Sequence, residues 1–155
     1  MIEDLLDVVL LDIGGTLVRE NAPGTPIDQL MPTLLPRVLD DLTELSRTVR
    51  LGAATNTSVM NESIVRSLLA KVGIDHLLEV VVTSYDVGAA KPDPLVLLEA
   101  NRRLGQVDPS RVLYVGDRST DQDAAFAARM HFTYVTERGV LAVVQEWVSS
   151  NSEHA

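Results

Sequence analysis

The amino-acid sequence predicts an α/β domain built on a parallel sheet of about five strands. Short apolar runs alternate along the chain with longer stretches of helical periodicity, which is the pattern of repeated βα units. Several of these runs are apolar almost throughout, as expected for strands that helices cover on both faces. The chain has 155 residues and is 46% hydrophobic, which suits one packed domain. We expect this single domain over residues 1–149 and a polar, frayed tail over residues 150–155.

The strands are predicted where short apolar runs end in polar residues. The first run, Val8–Leu11, is apolar at every position and leads directly into Asp12. The five predicted strands are Asp7–Asp12, Val49–Thr55, Glu79–Ser84, Val112–Gly116 and Phe132–Val135.

The helices are predicted from apolar periodicity and from residues that begin or end a helix. The first carries leucine and valine at i, i+3, i+4 and i+7 spacing, which forms one apolar stripe. Asn61 is the predicted N-cap of the second helix, and Gly73 lies just past its end. Pro94 begins the third helix, at a position where the missing N–H of proline costs nothing. The five predicted helices are Met31–Ser46, Glu62–Val72, Pro94–Leu104, Asp121–Met130 and Leu141–Ser149.

The composition restricts the classes of function. The formal charge of −9 argues against sequence-independent nucleic-acid binding, which needs clustered lysine and arginine. The chain has no cysteine, so it forms neither disulfides nor thiolate metal sites. No apolar run approaches the ~18 residues of a membrane span, and the acidic start of the chain is unlike a secretory signal. We therefore expect a soluble cytoplasmic protein without membrane or nucleic-acid partners.

Four polar clusters follow predicted strands, at the carboxyl ends where open α/β sheets bind their ligands. They are Asp12 with Thr16, Thr55 with Asn56, Lys91 in the loop after the third strand, and Gly116–Asp121 after the fourth. Each residue alone has a simpler interpretation, because Asp12 or Asp121 can cap a turn or helix and Lys91 can be a solvated charge. Their order and placement together favour a functional site.

The clusters supply the groups that phosphoryl transfer needs: a nucleophile, a metal site, a hydroxyl and a cation. A carboxylate attacks phosphorus only when its repulsion from the phosphoryl oxygens is offset. Mg²⁺ does this when it is bound by one or two carboxylates, water and substrate oxygens. Asp12 and Asp117 are the expected carboxylate ligands.

The sequence resembles the haloacid dehalogenase-like (HAD) hydrolase superfamily from Asp7 to about Val135. Residues 12–16, Asp-Ile-Gly-Gly-Thr, resemble its first motif, Asp-x-Asp-x-Thr, except at Gly14; the matches to its second, third and fourth motifs are Thr55, Lys91 and Gly116-Asp117 through Asp121. The resemblance implies a three-layer Rossmann-like fold with strand order 3-2-1-4-5 and a phosphoaspartyl intermediate on Asp12. It also implies Mg²⁺ held by Asp12, the Gly14 carbonyl and Asp117, with Asp121 supporting the metal or Lys91. Thr55 and Lys91 would grip the phosphoryl group, with Thr16 and Asn56 as further substrate-binding candidates.

Gly14 replaces the second aspartate of this motif. In the family, the backbone carbonyl of this second aspartate binds the metal, while the aspartate side chain protonates the leaving group and later activates water. Glycine keeps the carbonyl and lacks the acid, so help worth ~10²–10⁴ in rate is lost unless another group replaces it. The resemblance therefore implies a phosphatase that is slow or limited to good leaving groups. Glu20 is a candidate substitute, although a solvated loop charge is its simpler interpretation.

The spacing of the motifs leaves no room for a substantial cap domain. The 43 positions from Asp12 to Thr55 hold a flap, Arg19–Asp28, and one helix. An uncapped site is open, which suits a large substrate or a site that another subunit completes, so a homo-oligomer is one alternative.

Two classes of function remain open. The first is a Mg²⁺-dependent phosphatase that acts on a phosphorylated substrate, either an ester or an anhydride. The alternative is a non-catalytic phosphate-binding or regulatory protein that keeps the fold and the metal site. A receiver domain has a similar inventory of residues, but its acidic pair follows the first strand rather than the fourth.

Overall fold

A five-stranded parallel sheet forms the centre of the protein in the computed structural model, which describes residues 1–22 and 24–152. Its strands are β1 (Val8–Leu11), β2 (Arg50–Thr55), β3 (Val80–Thr83), β4 (Val112–Gly116) and β5 (His131–Tyr134). The strands lie in the order β3-β2-β1-β4-β5, and every neighbouring pair is parallel. The predicted strand order and fold class are confirmed.

Helices cover both faces of the sheet. The described residues form α1 (Ile2–Leu5), α2 (Val38–Leu45), α3 (Glu62–Lys71), α4 (Ser84–Val87), α5 (Leu95–Arg103), α6 (Ser119–Ala127) and α7 (Val140–Ser152). Buried side chains of α2, α3 and α7 pack on one face, and those of α5 and α6 pack on the other. The four residues of β1 are completely buried between these layers. This explains why the strand sequences are apolar at nearly every position.

The predicted helix Met31–Ser46 is wrong in its first half, because α2 begins only at Val38. Pro36 disfavours helical backbone at Leu35, and Arg37 adopts a left-handed conformation with φ of 69°. The segment before α2 is instead hydrogen-bonded to the loop after β1, where the Leu35 amide donates to the Leu17 carbonyl at 2.9 Å. The apolar spacing predicted one continuous helix, but the prolines in its first half limit the helix to Val38–Leu45.

The ends of the other predicted helices differ by a few residues. Helix α6 begins two residues before the predicted start and ends three residues before the predicted end at Met130. Helix α7 continues to Ser152, beyond the predicted end at Ser149, and residues 153–155 of the predicted tail lie outside the described residues. The predicted N-cap is confirmed, since Asn61 Oδ1 accepts from the Ile64 amide at 2.9 Å.

Among the described residues, no helix has both the length and the apolar character needed to cross a bilayer.

Candidate active site

The carboxyl ends of three adjacent strands bring the predicted site residues together. Strand β1 lies between β2 and β4, with Leu11 paired to Ala53 and to Val115. Asp12 therefore follows the central strand, with Thr55 at the end of one neighbour and Asp117 just after the other. A parallel sheet delivers these three side chains to one edge, although they lie far apart in the sequence.

Lys91 is the hub of a buried polar network at this edge. Its ammonium group lies within hydrogen-bond distance of four oxygens: Asp12 Oδ1 (3.0 Å), Asp121 Oδ1 (2.6 Å), Tyr114 Oη (2.6 Å) and the Ala54 carbonyl (3.2 Å). The side chains of Lys91 and of both carboxylates are nine-tenths or more buried. Burial removes water as an alternative partner, so each of these charges depends on the others.

The Asn56 side chain holds the loop that carries Lys91. Its Oδ1 accepts from the Lys91 amide at 2.9 Å, and its Nδ2 donates to the Lys91 carbonyl at 3.2 Å. These two bonds fix the backbone from which the ammonium group extends into the network. Asn56 also lines the cavity of the site, and its predicted contact with substrate stays a prediction.

Tyr114 is a member of the network that the sequence did not reveal. Its hydroxyl donates to the Ala54 carbonyl at 2.8 Å and accepts from Lys91. Burial, together with the nearby Asp12 and Asp121 charges, raises the pKa of Tyr114 well above its ordinary value, so the hydroxyl stays protonated. A tyrosine in an apolar strand is typical of a packed core. In the sequence, its single hydroxyl among apolar residues was the one sign of a polar role.

Asp121 joins the network to the first turn of α6. Its Oδ2 accepts from the backbone amides of Asp117 and Arg118, at 3.1 and 3.0 Å. These bonds satisfy amides that a helix start leaves without intrahelical partners. The capping role and the Lys91 contact are therefore both real, because each uses a different oxygen of the same carboxylate.

Three carboxylates converge beside Lys91. Asp12, Asp117 and Asp121 each offer an oxygen within 4.8 Å of the others. The close approach of Asp117 depends on Gly15, since a β-carbon there would lie 2.1 Å from Asp117 Oδ2. Gly15 also has a φ of 79°, a left-handed conformation that glycine adopts without strain.

This cluster fits a divalent cation. Asp117 Oδ1 is buried and makes no hydrogen bond with the residues described. Burial raises the pKa of Asp12 to about 7, although the Lys91 charge lowers it, and the Asp121 charge raises it further. One buried ammonium group therefore neutralises only part of the negative charge of these carboxylates. An oxygen-binding cation such as Mg²⁺ would supply the remaining positive charge and a partner for Asp117 Oδ1.

A cavity of about 130 Å³ opens above the network. It is lined by Asp12, Gly14, Glu20, Thr55, Asn56, Lys91, Arg118, Thr120 and Asp121. Thr16 is not among these lining residues. It is almost completely buried, and its Oγ1 makes no hydrogen bond within residues 1–22 and 24–152. The predicted roles of Thr16 and Thr55 in substrate binding stay predictions.

An exposed ion pair borders the open side of this cavity. Arg118 Nη2 donates to Glu20 Oε1 at 2.6 Å, and joins the start of α6 to the predicted flap 98 positions earlier. The Glu20 contact raises the pKa of Arg118. No local pattern could reveal a pair so distant in the sequence.

The cavity continues into a more apolar recess of about 230 Å³. Gly14, Glu20, Thr55 and Asn56 line both spaces, while Leu30, Pro32, Met60 and Leu68 contribute to the recess alone. A larger concavity lies elsewhere, along α3, where Arg66 and Arg103 are already paired with acidic side chains. These arginines are therefore paired within the protein, which makes this concavity a weaker candidate for an anionic ligand than the carboxyl edge of the sheet.

Comparison with known proteins agrees with the geometry. The family model described as haloacid dehalogenase-like hydrolase matches residues 27–135, which include Thr55, Lys91, Asp117 and Asp121. The chain is 36% identical over 104 residues to a glyceraldehyde 3-phosphate phosphatase of Methanopyrus kandleri, a match that covers 67% of this chain and 40% of that protein. The chain thus spans less than half the length of this curated relative.

Solved structures share the fold at low sequence identity. A hydrolase from Streptococcus pneumoniae TIGR4 matches with a TM-score of 0.70 at 19% identity, over 92% of this chain and 98% of that one. CbbY from Rhodobacter sphaeroides, solved in complex with phosphate, matches with a TM-score of 0.67 at 18% identity, over 84% and 86%. These likenesses establish the architecture.

Proposed function

The chain belongs to the haloacid dehalogenase-like hydrolase family, and from that premise we propose that it is a Mg²⁺-dependent phosphatase acting through a phosphoaspartate on Asp12. One observation carries the proposal: the buried Lys91 ammonium joins Asp12 to Asp121 beneath a small cavity at the carboxyl edge of the sheet. The glyceraldehyde 3-phosphate phosphatase relative supports a phosphorylated substrate.

Asp12 is the nucleophile in this proposal. Its carboxylate oxygen attacks phosphorus, the bond to the leaving oxygen breaks, and the phosphoryl group is left on Asp12. Lys91 holds Asp12 Oδ1 in place through the 3.0 Å contact. An ammonium group has three donors, and four oxygens already surround it, so Lys91 exchanges one contact when it binds a phosphoryl oxygen. Thr55 lines the same cavity and would offer its hydroxyl to the same group.

Asp12, Asp117 and the Gly14 carbonyl would hold Mg²⁺, with Asp121 supporting them. When bound, the ion neutralises charge between the attacking carboxylate and the phosphoryl oxygens. Gly14 places no acid beside the leaving group. We therefore propose substrates with good leaving groups, such as aryl or acyl phosphates, and slow turnover of alkyl phosphates.

The test is hydrolysis of 4-nitrophenyl phosphate with Mg²⁺, with EDTA, and by Asp12→Asn with Mg²⁺. We expect turnover in the first condition and only the background rate in the other two. Turnover that persists in Asp12→Asn would contradict the proposal. Mg²⁺-dependent binding of a phosphoryl mimic without any turnover would favour the non-catalytic alternative, for which Gly14 is the supporting observation.

A further inference from the structure

One acidic side chain of the cavity is not committed to the buried network. The cavity is lined by three carboxylates, those of Asp12, Asp121 and Glu20. Asp12 and Asp121 both contact Lys91, and the second oxygen of Asp121 accepts two backbone amides. Glu20 takes no part in these contacts and lines the space from its open side.

The Glu20 carboxylate lies beside the position that lacks a side chain. A β-carbon built at Gly14 would lie 3.4 Å from Glu20 Cγ and 3.6 Å from Glu20 Oε1. Its three nearest heavy atoms all belong to Glu20. The side chain thus reaches, from the flap, the space that a residue at position 14 would fill.

Arg118 positions this carboxylate. Its guanidinium group donates to Glu20 Oε1 at 2.6 Å, and its backbone amide donates to Asp121 Oδ2 at 3.0 Å. One residue therefore ties the flap to the buried network. The ion pair is exposed, with 61% and 48% of the two side chains accessible, so it adds little to stability. Its consequence is the placement of a carboxylate at the mouth of the cavity.

We propose that Glu20 is the general base of the second half-reaction, the hydrolysis of the phosphoaspartate; this inference rests on the proposed function. The water oxygen attacks phosphorus while one water proton passes to the Glu20 carboxylate. The bond between phosphorus and the Asp12 oxygen breaks, and its electron pair returns to the Asp12 carboxylate. Phosphate leaves, and Glu20 releases its proton to solvent. The first half-reaction needs no such base, because Asp12 is itself the nucleophile.

The experiment follows the phosphoenzyme directly in the full chain. Wild type, Glu20→Gln and the control Glu44→Gln are mixed with 4-nitrophenyl phosphate and Mg²⁺, and the phosphorylated fraction is read by intact mass after acid quench. Substrate is then removed, and the loss of the phosphoryl group is timed. Glu44 is a matched control, because its ion pair with Arg47 is similarly exposed and lies outside the site.

We expect Glu20→Gln to accumulate phosphoenzyme and to lose it roughly 10²-fold more slowly than wild type, which is typical of a removed general base. Glu44→Gln should match wild type. Adding Gly14→Asp to Glu20→Gln should restore the faster loss, because it returns a carboxylate to the space that Glu20 reaches in wild type. A phosphorylated fraction and decay rate in Glu20→Gln equal to wild type would overturn this inference alone. Absence of phosphoenzyme and of Asp12-dependent turnover in every variant would overturn the proposed function, and this inference with it.

Discussion

The two halves of the site are built in opposite ways. The buried half, Asp12, Lys91, Tyr114 and Asp121, lies at the carboxyl edge of the sheet, where the Lys91 ammonium group contacts the other three side chains at 2.6–3.0 Å. The exposed half, Glu20 and Arg118, is one ion pair between a flap and the start of α6. In the function proposed above, the buried half would hold the phosphoryl group and the exposed half would supply the base, so the two tasks can be altered separately.

Replacing Lys91 has the largest expected effect. Lys91→Met leaves Asp12 and Asp121 buried without their cation, so we expect the free energy of unfolding to fall by about 3–5 kcal/mol and activity to fall to background. Urea unfolding without Mg²⁺ measures the first effect, and 4-nitrophenyl phosphate hydrolysis the second.

Lys71 provides the control for this change, since it is the other lysine of the chain and is exposed on α3. Lys71→Met should change stability by no more than about 0.5 kcal/mol. Equal stability of the two variants would mean that the buried half does not depend on its charge pairs.

Asp117→Asn tests whether the carboxylate cluster holds the cation. In wild type, Mg²⁺ at 100 times its dissociation constant should stabilise the fold by about 2.7 kcal/mol, seen as a rise in Tm. Asp117→Asn removes one ligand charge and should abolish most of this rise. Asp123→Asn, an exposed change on α6, the helix that follows Asp117, should leave the rise intact. A rise that survives in Asp117→Asn would place the ion elsewhere.

Gly14→Asp tests whether the site lacks a general acid beside the leaving group. A β-carbon fits at Gly14, with its nearest neighbour at 3.4 Å. The new carboxyl group can protonate a leaving oxygen, so we expect kcat/KM for alkyl phosphates to rise by up to about 10²-fold and that for aryl phosphates much less. Steady-state kinetics on a series of leaving groups measures this difference. Equal gains across the series would contradict the account of the missing acid.

Arg118→Gln should have the smallest effect. Loss of an exposed ion pair is worth about 1 kcal/mol or less, which corresponds to at most about a fivefold slower phosphoenzyme decay through a less well placed Glu20. The free energy of unfolding should fall by no more than that amount. Arg47→Gln breaks a comparably exposed pair away from the site, so it should have a similarly small effect on stability and none on the decay. A decay as slow as in Glu20→Gln would instead make Arg118 part of the chemistry.

The buried half was largely accessible from the sequence, because parallel strands carry their terminal residues to one edge. Asp12, Lys91 and Asp121 each follow an apolar run or its loop, and their convergence needs only the strand order. Tyr114 is not predicted by the sequence, because a buried tyrosine hydroxyl usually finds a hydrogen-bond partner of some kind and an apolar run does not indicate which one. The polar role of its hydroxyl follows from the contact with Lys91, which only the folded chain shows.

The exposed half depends on contacts that the sequence does not encode locally. Glu20 and Arg118 lie 98 positions apart, and neither has a motif or periodicity that predicts the other. The helix predicted over Met31–Ser46 failed for a local reason, since Pro36 outweighed an apolar stripe. Strand ends and the flap were therefore predictable from patterns, whereas the ion pair between the flap and α6 needed the folded chain.

Binding of a phosphoryl mimic tests most directly the claim that Asp12 accepts a phosphoryl group. Beryllofluoride forms a stable adduct with a carboxylate without requiring turnover, so it examines the buried half alone. With Mg²⁺ present, we expect it to raise the Tm of wild type and to leave that of Asp12→Asn unchanged. No rise in wild type, or an equal rise in Asp12→Asn, would contradict the account.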